Sequence, residues 1–103
     1  MKPVRIQRKR TKGWRMPPNT VYVGRGSRWG NPYKSSSGVS QLKAVEFFRQ
    51  DVIRQAPIDR QVRLSIKEIE SELYGKNLAC WCPLDQPCHA DILLKIANKE
   101  KSP

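Results

Sequence analysis

The chain has 103 residues, with 20 Lys and Arg against nine Asp and Glu, a formal net charge of +11. That length makes one domain, 1–103, able to bury roughly 60–65% of its unfolded surface. No run of ~18 apolar residues could span a membrane, and the basic N-terminus lacks the apolar core of a secretory signal.

Pro3 to Arg8 alternates apolar and charged residues, which predicts a half-exposed strand with Val4 and Ile6 inward. Lys9 to Pro18 reads as a basic loop punctuated by Gly13 and the Pro17-Pro18 pair. Asn19 to Val23 is β-branched and nearly continuous, so a second strand is expected, in the centre of a sheet. Next comes Gly24-Arg-Gly-Ser-Arg-Trp-Gly-Asn-Pro32. Glycines let backbone N–H groups converge, and Arg25 and Arg28 add bidentate donors, so this loop suits a phosphate. The candidate ligand-binding residues are Gly24, Arg25, Gly26, Ser27, Arg28, Trp29, Gly30 and Asn31. The G-x-G-x-x-x-G spacing matches neither standard phosphate-loop pattern, and no helix is expected before Ser37–Ser40. A glycine-rich turn across the top of a sheet remains the alternative.

Leu42, Val45, Phe48 and Val52 recur on one helical face, with Pro57 stopping that helix after about Ala56. A second helix starts either at Asp59 or at a capping box, Ser65-Ile-Lys-Glu68. Its apolar face is Val62, Ile66, Ile69 and Leu73, and Gly75 suits its C′ position. Lys76 to Cys82 reads as a buried strand, Pro83 to Pro87 as a tight loop, and Cys88 onward as a helix carrying Ile92, Leu93, Ile96 and Ala97. The tail 98–103 is expected to be flexible. Strands separated by helices imply parallel pairing and right-handed crossovers. The expected fold is α/β, a minimal Rossmann-like three-layer domain with a short, mostly parallel sheet of about three strands.

Residues 1–45 carry eleven Lys and Arg and no acid, whereas nine basic residues balance nine acidic ones from Glu46 onward. The excess charge therefore sits in one half, interleaved with Trp14, Tyr22, Trp29 and Tyr33. Such asymmetry points to an anionic partner, a nucleotide or nucleic acid. A merely basic, soluble domain is the plainer reading.

All three cysteines and the only histidine lie between Cys80 and His89. An odd number of cysteines, two of them one residue apart, makes a poor disulfide framework and favours a reducing, cytoplasmic setting. Three readings stay open. Zinc could be held by Cys80, Cys82, Cys88 and His89, although C-x-C-x5-C-H is no familiar knuckle and adjacent helical side chains diverge by about 100°. A catalytic site could use Cys82, Cys88, His89 and Asp91, because a helix N-terminus lowers a thiol pKa and supplies amides. The third reading is structural: Cys80 packs in the core, Trp81 faces the other way, and His89 caps a helix.

Arg28-Trp-Gly-Asn-Pro32, Cys80-Trp-Cys82 and Cys88-His-Ala-Asp91 together resemble a family of small phage and bacterial proteins, number 4326 among the domains of unknown function. The opening Arg5-Ile…Arg8-Lys-Arg…Gly13-Trp-Arg and Val21-Tyr-Val-Gly-Arg25 are similar too, so the resemblance spans nearly the whole chain. It implies a Rossmann-like fold, a site built from the two motifs and a phage or mobile-element setting, with no activity to carry over. A weaker similarity runs to a Rossmann-like family whose strand ends Cys-x-Glu before a helix opening Cys-His-Arg. Cys82 and Ala90 stand where that family has its Glu and Arg, which puts any chemistry using them in doubt.

The leading expectation is a nucleotide- or nucleic-acid-binding protein, with a Cys/His site at a strand-to-helix turn and enzymatic activity left open. The alternatives are a zinc-stabilised, non-catalytic nucleic-acid module and a phage inhibitor docking on an acidic host protein. Arg28 and Cys88 are expected to serve one pocket, since parallel strands place their carboxyl ends on one edge.

Overall fold

A computed structural model describes residues 3–33, 40–54, 62 and 64–98. The elements run β1 (Arg5–Gln7), β2 (Thr20–Tyr22), α1 (Gln41–Arg54), α2 (Ile66–Leu73), β3 (Asn77–Cys80) and α3 (His89–Ala97). The strands form one parallel sheet in the order β1-β3-β2, and the protein is a small α/β domain.

The central strand is β3, not β2. Leu78, Ala79 and Cys80 are essentially without solvent exposure, whereas all three residues of β2 are half-buried. Only β3 has a neighbour on both sides, and its small or apolar residues suit that confinement. Its N-terminal end is fixed by Asn77: the side-chain Oδ1 accepts from Val4 N–H at 3.0 Å, and its own N–H donates to Asn19 O at 2.9 Å. Asn19 has a positive φ of 56°, a conformation asparagine tolerates. Its Nδ2 donates to Gly75 O at 2.8 Å.

The inward face of β1 also differs from expectation. Val4 is half exposed, at 51%, while the Arg5 side chain is only 7% exposed. Burial of an arginine is tolerable here because its guanidinium meets a carboxylate and two carbonyls, described below. Alternation alone cannot anticipate such partners, since they come from the far end of the chain.

In α1, Ala44, Val45, Phe48 and Val52 are buried, and Leu42 is 66% exposed in the first turn. Ser40 Oγ accepts from Lys43 N–H at 3.2 Å, which accounts for the helix starting at Gln41. Asp51, on the same helix, accepts from the Tyr33 hydroxyl at 2.7 Å and from Val62 N–H at 3.1 Å. Val62 is buried but precedes α2 and lies outside its helical face. The capping box is present: Glu68 N–H donates to Ser65 Oγ, and Ser65 N–H donates to the Glu68 carboxylate. Gly75, with φ +75°, ends α2 as a C′ residue. The expected stop near Ala56, the Asp59 start and the tail beyond Asn98 lie outside the described residues.

The core is a continuous cluster of Val23, Phe48, Val52, Ile69, Leu73, Leu78 and Leu93 with smaller neighbours. Helix α3 packs against α1, α2, β1 and β3, so it ties the sheet to both other helices. Its start at His89 therefore has a fixed position relative to the strand ends.

The capping box gives a measurable expectation. Ser65→Ala should lower unfolding free energy by about 1 kcal/mol, the usual loss of an N-cap. Urea denaturation should show this against an unchanged Lys67→Ala control on the exposed face.

Candidate functional site

Three segments leave the sheet at the same level. Arg8 N–H donates to Cys80 O and Val23 N–H donates to Ala79 O, both at 2.8 Å. The parallel register thus brings residues after β1, β2 and β3 to one carboxyl edge, the usual place for a ligand in such sheets. A cleft of about 430 Å³ opens there, within the range of small-molecule sites. Its walls come from the segment after β1 (Arg10), the segment after β2 (Gly24, Arg25, Asn31, Tyr33), α1 (Gln41), and the β3–α3 connection (Cys80, Trp81, Cys82, His89).

The cleft is basic, and among the described residues its lining holds no carboxylate. Arg25 is exposed, and so is Arg10, whose guanidinium carbon lies 5.1 Å from the Trp81 ring centre. On the other side Arg8 stacks on both Trp81, at 4.7 Å, and Tyr22, at 4.8 Å. Arg8 Nε is buried and has no hydrogen-bond partner among the described residues, so ring contacts take the place of a bond. The result is a column of alternating rings and cations, Tyr22, Arg8, Trp81 and Arg10, along the sheet edge.

The glycine loop is internally bonded. Ser27 N–H and Oγ donate to Gly24 O at 3.1 and 2.6 Å, and Gly30 N–H donates to Ser27 O at 3.2 Å. Two amides expected to face a phosphate are thereby occupied. Gly30 cannot be replaced cheaply, because an added Cβ would lie 2.9 Å from Gly24 O. Gly26 has φ +87°, the left-handed region that suits glycine.

The loop's side chains divide. Arg25 and Asn31 line the cleft, but Arg28 does not: its guanidinium pairs with Glu68 at 3.1 Å and Glu72 at 2.8 Å on α2, and stacks on Trp29. Trp29 is buried in the core and also absent from the lining. Asn31 itself is spoken for, with Nδ2 donating to Ala44 O and Oδ1 accepting from Tyr33 N–H. The structure brings Arg25, Asn31 and Gly24 together with Cys82 and His89, and leaves Arg28 and Trp29 against α2 and the core.

On the cysteine side, the three sulfurs lie within 4.8 Å of one another. Cys80 and Cys88 are fully buried, with their Sγ atoms 3.2 Å apart, and Cys82 is half-buried at the cleft wall. The Cys80 pKa is lowered, chiefly because the Cys88 thiol donates to it, against the opposing effect of burial. Cys88, the donor, is pushed up to about 11 by that same bond and by burial. Burial also raises Cys82. The pKa of the Cys88 thiol is thus raised rather than lowered, opposite to what its helix N-terminal position suggests.

His89 is buried against Phe48, and its Nε2 lies 2.6 Å from Val23 O. A carbonyl only accepts, so Nε2 carries the proton, and in the neutral ring Nδ1 keeps its lone pair. That Nδ1 lies 3.6 Å from Cys88 Sγ. The expected 100° divergence of Cys88 and His89 does not apply, because Cys88 is the extended N-cap of α3, with φ −148° and ψ 146°. Among the described residues the Asp91 carboxylate bonds to none of these groups and pairs with Arg5 at 3.1 Å.

Arg5, Gln41 and Trp81 are missing from the candidate site residues read from the sequence, although Arg5 and Trp81 fall within the motifs of the resemblance. Arg5 donates to Asp91 Oδ2 at 3.1 Å and to the carbonyls of Pro83 and Leu84 at 3.0 and 2.7 Å, clamping the turn after Cys82. Gln41 Nε2 donates to Pro87 O at 3.0 Å and approaches Cys82 Sγ at 3.9 Å, holding the same turn from α1. Trp81 is partly exposed and turned onto the arginine column. Their partners are 41 to 86 residues away, which no local pattern encodes.

Loss of the clamp should be measurable. Arg5→Met should destabilise the fold by about 0.5–1.5 kcal/mol, since it removes the hydrogen bonds to the exposed Pro83 and Leu84 carbonyls, which water can replace. Asp91→Asn should cost less, about 0–1 kcal/mol, because that carboxylate is 47% exposed. Hydrogen exchange in 83–87 should quicken in the first variant only.

Neither the curated proteins nor the solved structures give a significant match to this chain. The family model described as Domain of unknown function (DUF4326) matches residues 6–99, so the chain belongs to that family.

Proposed function

We propose that the cleft at the carboxyl edge of the sheet binds a nucleotide, either free or as a unit of nucleic acid. The observation that carries this reading is the lining itself: Arg10 and Arg25 as the charged groups, with Tyr33 and Trp81 as aromatic surfaces. Cations bind phosphate, and aromatic faces or stacked guanidinium planes accept a base with little sequence preference. Lys9, Arg10 and Lys12 are exposed on the loop leading to the cleft and extend the positive surface away from it. Asn31 and Gln41 are held by backbone carbonyls, so their amide groups add polar contacts of fixed orientation. The Rossmann-like character expected from element order fits this placement, since ligands of such sheets lie beyond the strand ends. Binding is supported more directly than catalysis, because the thiols near the cleft are largely buried and two of the three hold their protons more tightly than a free cysteine.

Calorimetric titration with nucleoside mono- and triphosphates and with short single-stranded oligonucleotides tests the reading. Arg25→Ala should weaken phosphate-bearing ligands by about 1.5–3 kcal/mol, more than tenfold. Arg28→Ala should leave affinity nearly unchanged, because that side chain is engaged by Glu68 and Glu72. Equal losses in both variants, or no binding to any of these ligands, would refute the assignment and favour a protein partner. If oligonucleotides are the ligands, affinity should fall steeply with salt, and Lys9→Ala, Arg10→Ala and Lys12→Ala combined should flatten that slope.

A further inference from the structure

The cysteine cluster raises a question that nucleotide binding does not answer. Cys80 comes from the end of β3, Cys82 from the turn that follows, and Cys88 from the N-cap of α3. Three separate backbone positions thus aim their sulfurs at one point. Capping does not account for Cys88, whose side chain makes no cap hydrogen bond to its helix. Simple core packing accounts for Cys80, but not for Cys82, which is half-buried at the cleft.

The distances match a soft metal site. A tetrahedral zinc with Zn–S bonds of about 2.3 Å sets its sulfurs roughly 3.8 Å apart. The observed separations, 3.2 Å for Cys80 and Cys88 and up to 4.8 Å across the trio, bracket that value. A histidine nitrogen bound to the same ion would lie roughly 3.6 Å from each sulfur. His89 Nδ1 meets that distance to Cys88 Sγ alone, at 3.6 Å, and lies outside the gathered donor group. Its other ring nitrogen donates to the Val23 carbonyl, which holds the ring beside Cys88. The turn carrying Cys82 is in turn held by Arg5 and Gln41. The donor set is thus supported from behind by β1, β2 and α1.

We infer that Cys80, Cys82 and Cys88 bind a zinc-class divalent cation as thiolates in the wall of the cleft, with the fourth position left to solvent or a ligand in the cleft. Binding converts thiols to thiolates and releases their protons to solvent, so affinity rises with pH. The inference does not depend on the nucleotide reading, and its test uses metal alone.

Protein purified under reductant and reconstituted with Zn2+ should retain about one ion per chain by elemental analysis, with a raised melting temperature. Co2+ in place of Zn2+ should give the visible bands of a tetrahedral ion and a thiolate-to-cobalt charge-transfer band in the near ultraviolet. In competition with a chelator, Cys82→Ser should bind Zn2+ at least about tenfold more weakly. This half-buried position is the least disruptive of the three, and the cobalt spectrum of the unaltered chain needs no variant at all. Retention of far less than one ion, a cobalt spectrum without charge transfer, or an unchanged Cys82→Ser affinity would overturn the site.

Discussion

Ala79 and Cys80 offer their carbonyls to Val23 on one side and Arg8 on the other, so three stretches of chain leave the sheet at a common level. The rest of the candidate site follows from that alignment. The basic segment after β1, the glycine loop after β2 and the cysteine turn after β3 are far apart in sequence but open into one cleft. The bond between His89 and the Val23 carbonyl joins α3 to the same edge and sets the ring's tautomer. A short sheet of three strands can organise a site because its central strand is saturated on both sides.

Much of this arrangement is legible in the sequence, for identifiable reasons. The capping box of α2, the glycine after it and the strand–turn–helix around the cysteines are local patterns, and all three occur. The position of β2 in the sheet is not local. Its β-branched residues suggest burial on both sides, but three half-buried residues at an edge satisfy the same pattern. Arg28 shows a similar limit. A glycine-rich loop marks it as a phosphate ligand, yet Glu68 and Glu72 stand one helical turn apart on α2 and claim it. Cys88 reads as an activated thiol from its place at a helix start, and the approach of Cys80, together with burial, reverses that.

The same distinction refines the meaning of the basic N-terminal half. Eleven cations look alike in a count, but Arg5 is committed to a turn, Arg8 to two rings and Arg28 to a helix. Among the described residues, what remains for a partner is the smaller set Lys9, Arg10, Lys12, Arg15, Arg25 and Lys43, all exposed. Charge that seems uniformly available in sequence is partly structural mortar. Its guanidinium groups satisfy carbonyls and cover aromatic faces that a lysine would serve less well.

Asp51 has a consequence of a different kind. By accepting from the Tyr33 hydroxyl and the Val62 amide, one carboxylate on α1 anchors the chain just before α1 begins and again after it has left. Two points that lie 29 residues apart in sequence are thereby held to one carboxylate. Because Tyr33 also lines the cleft, Asp51 fixes one aromatic wall of the candidate site from a helix whose own face is turned into the core.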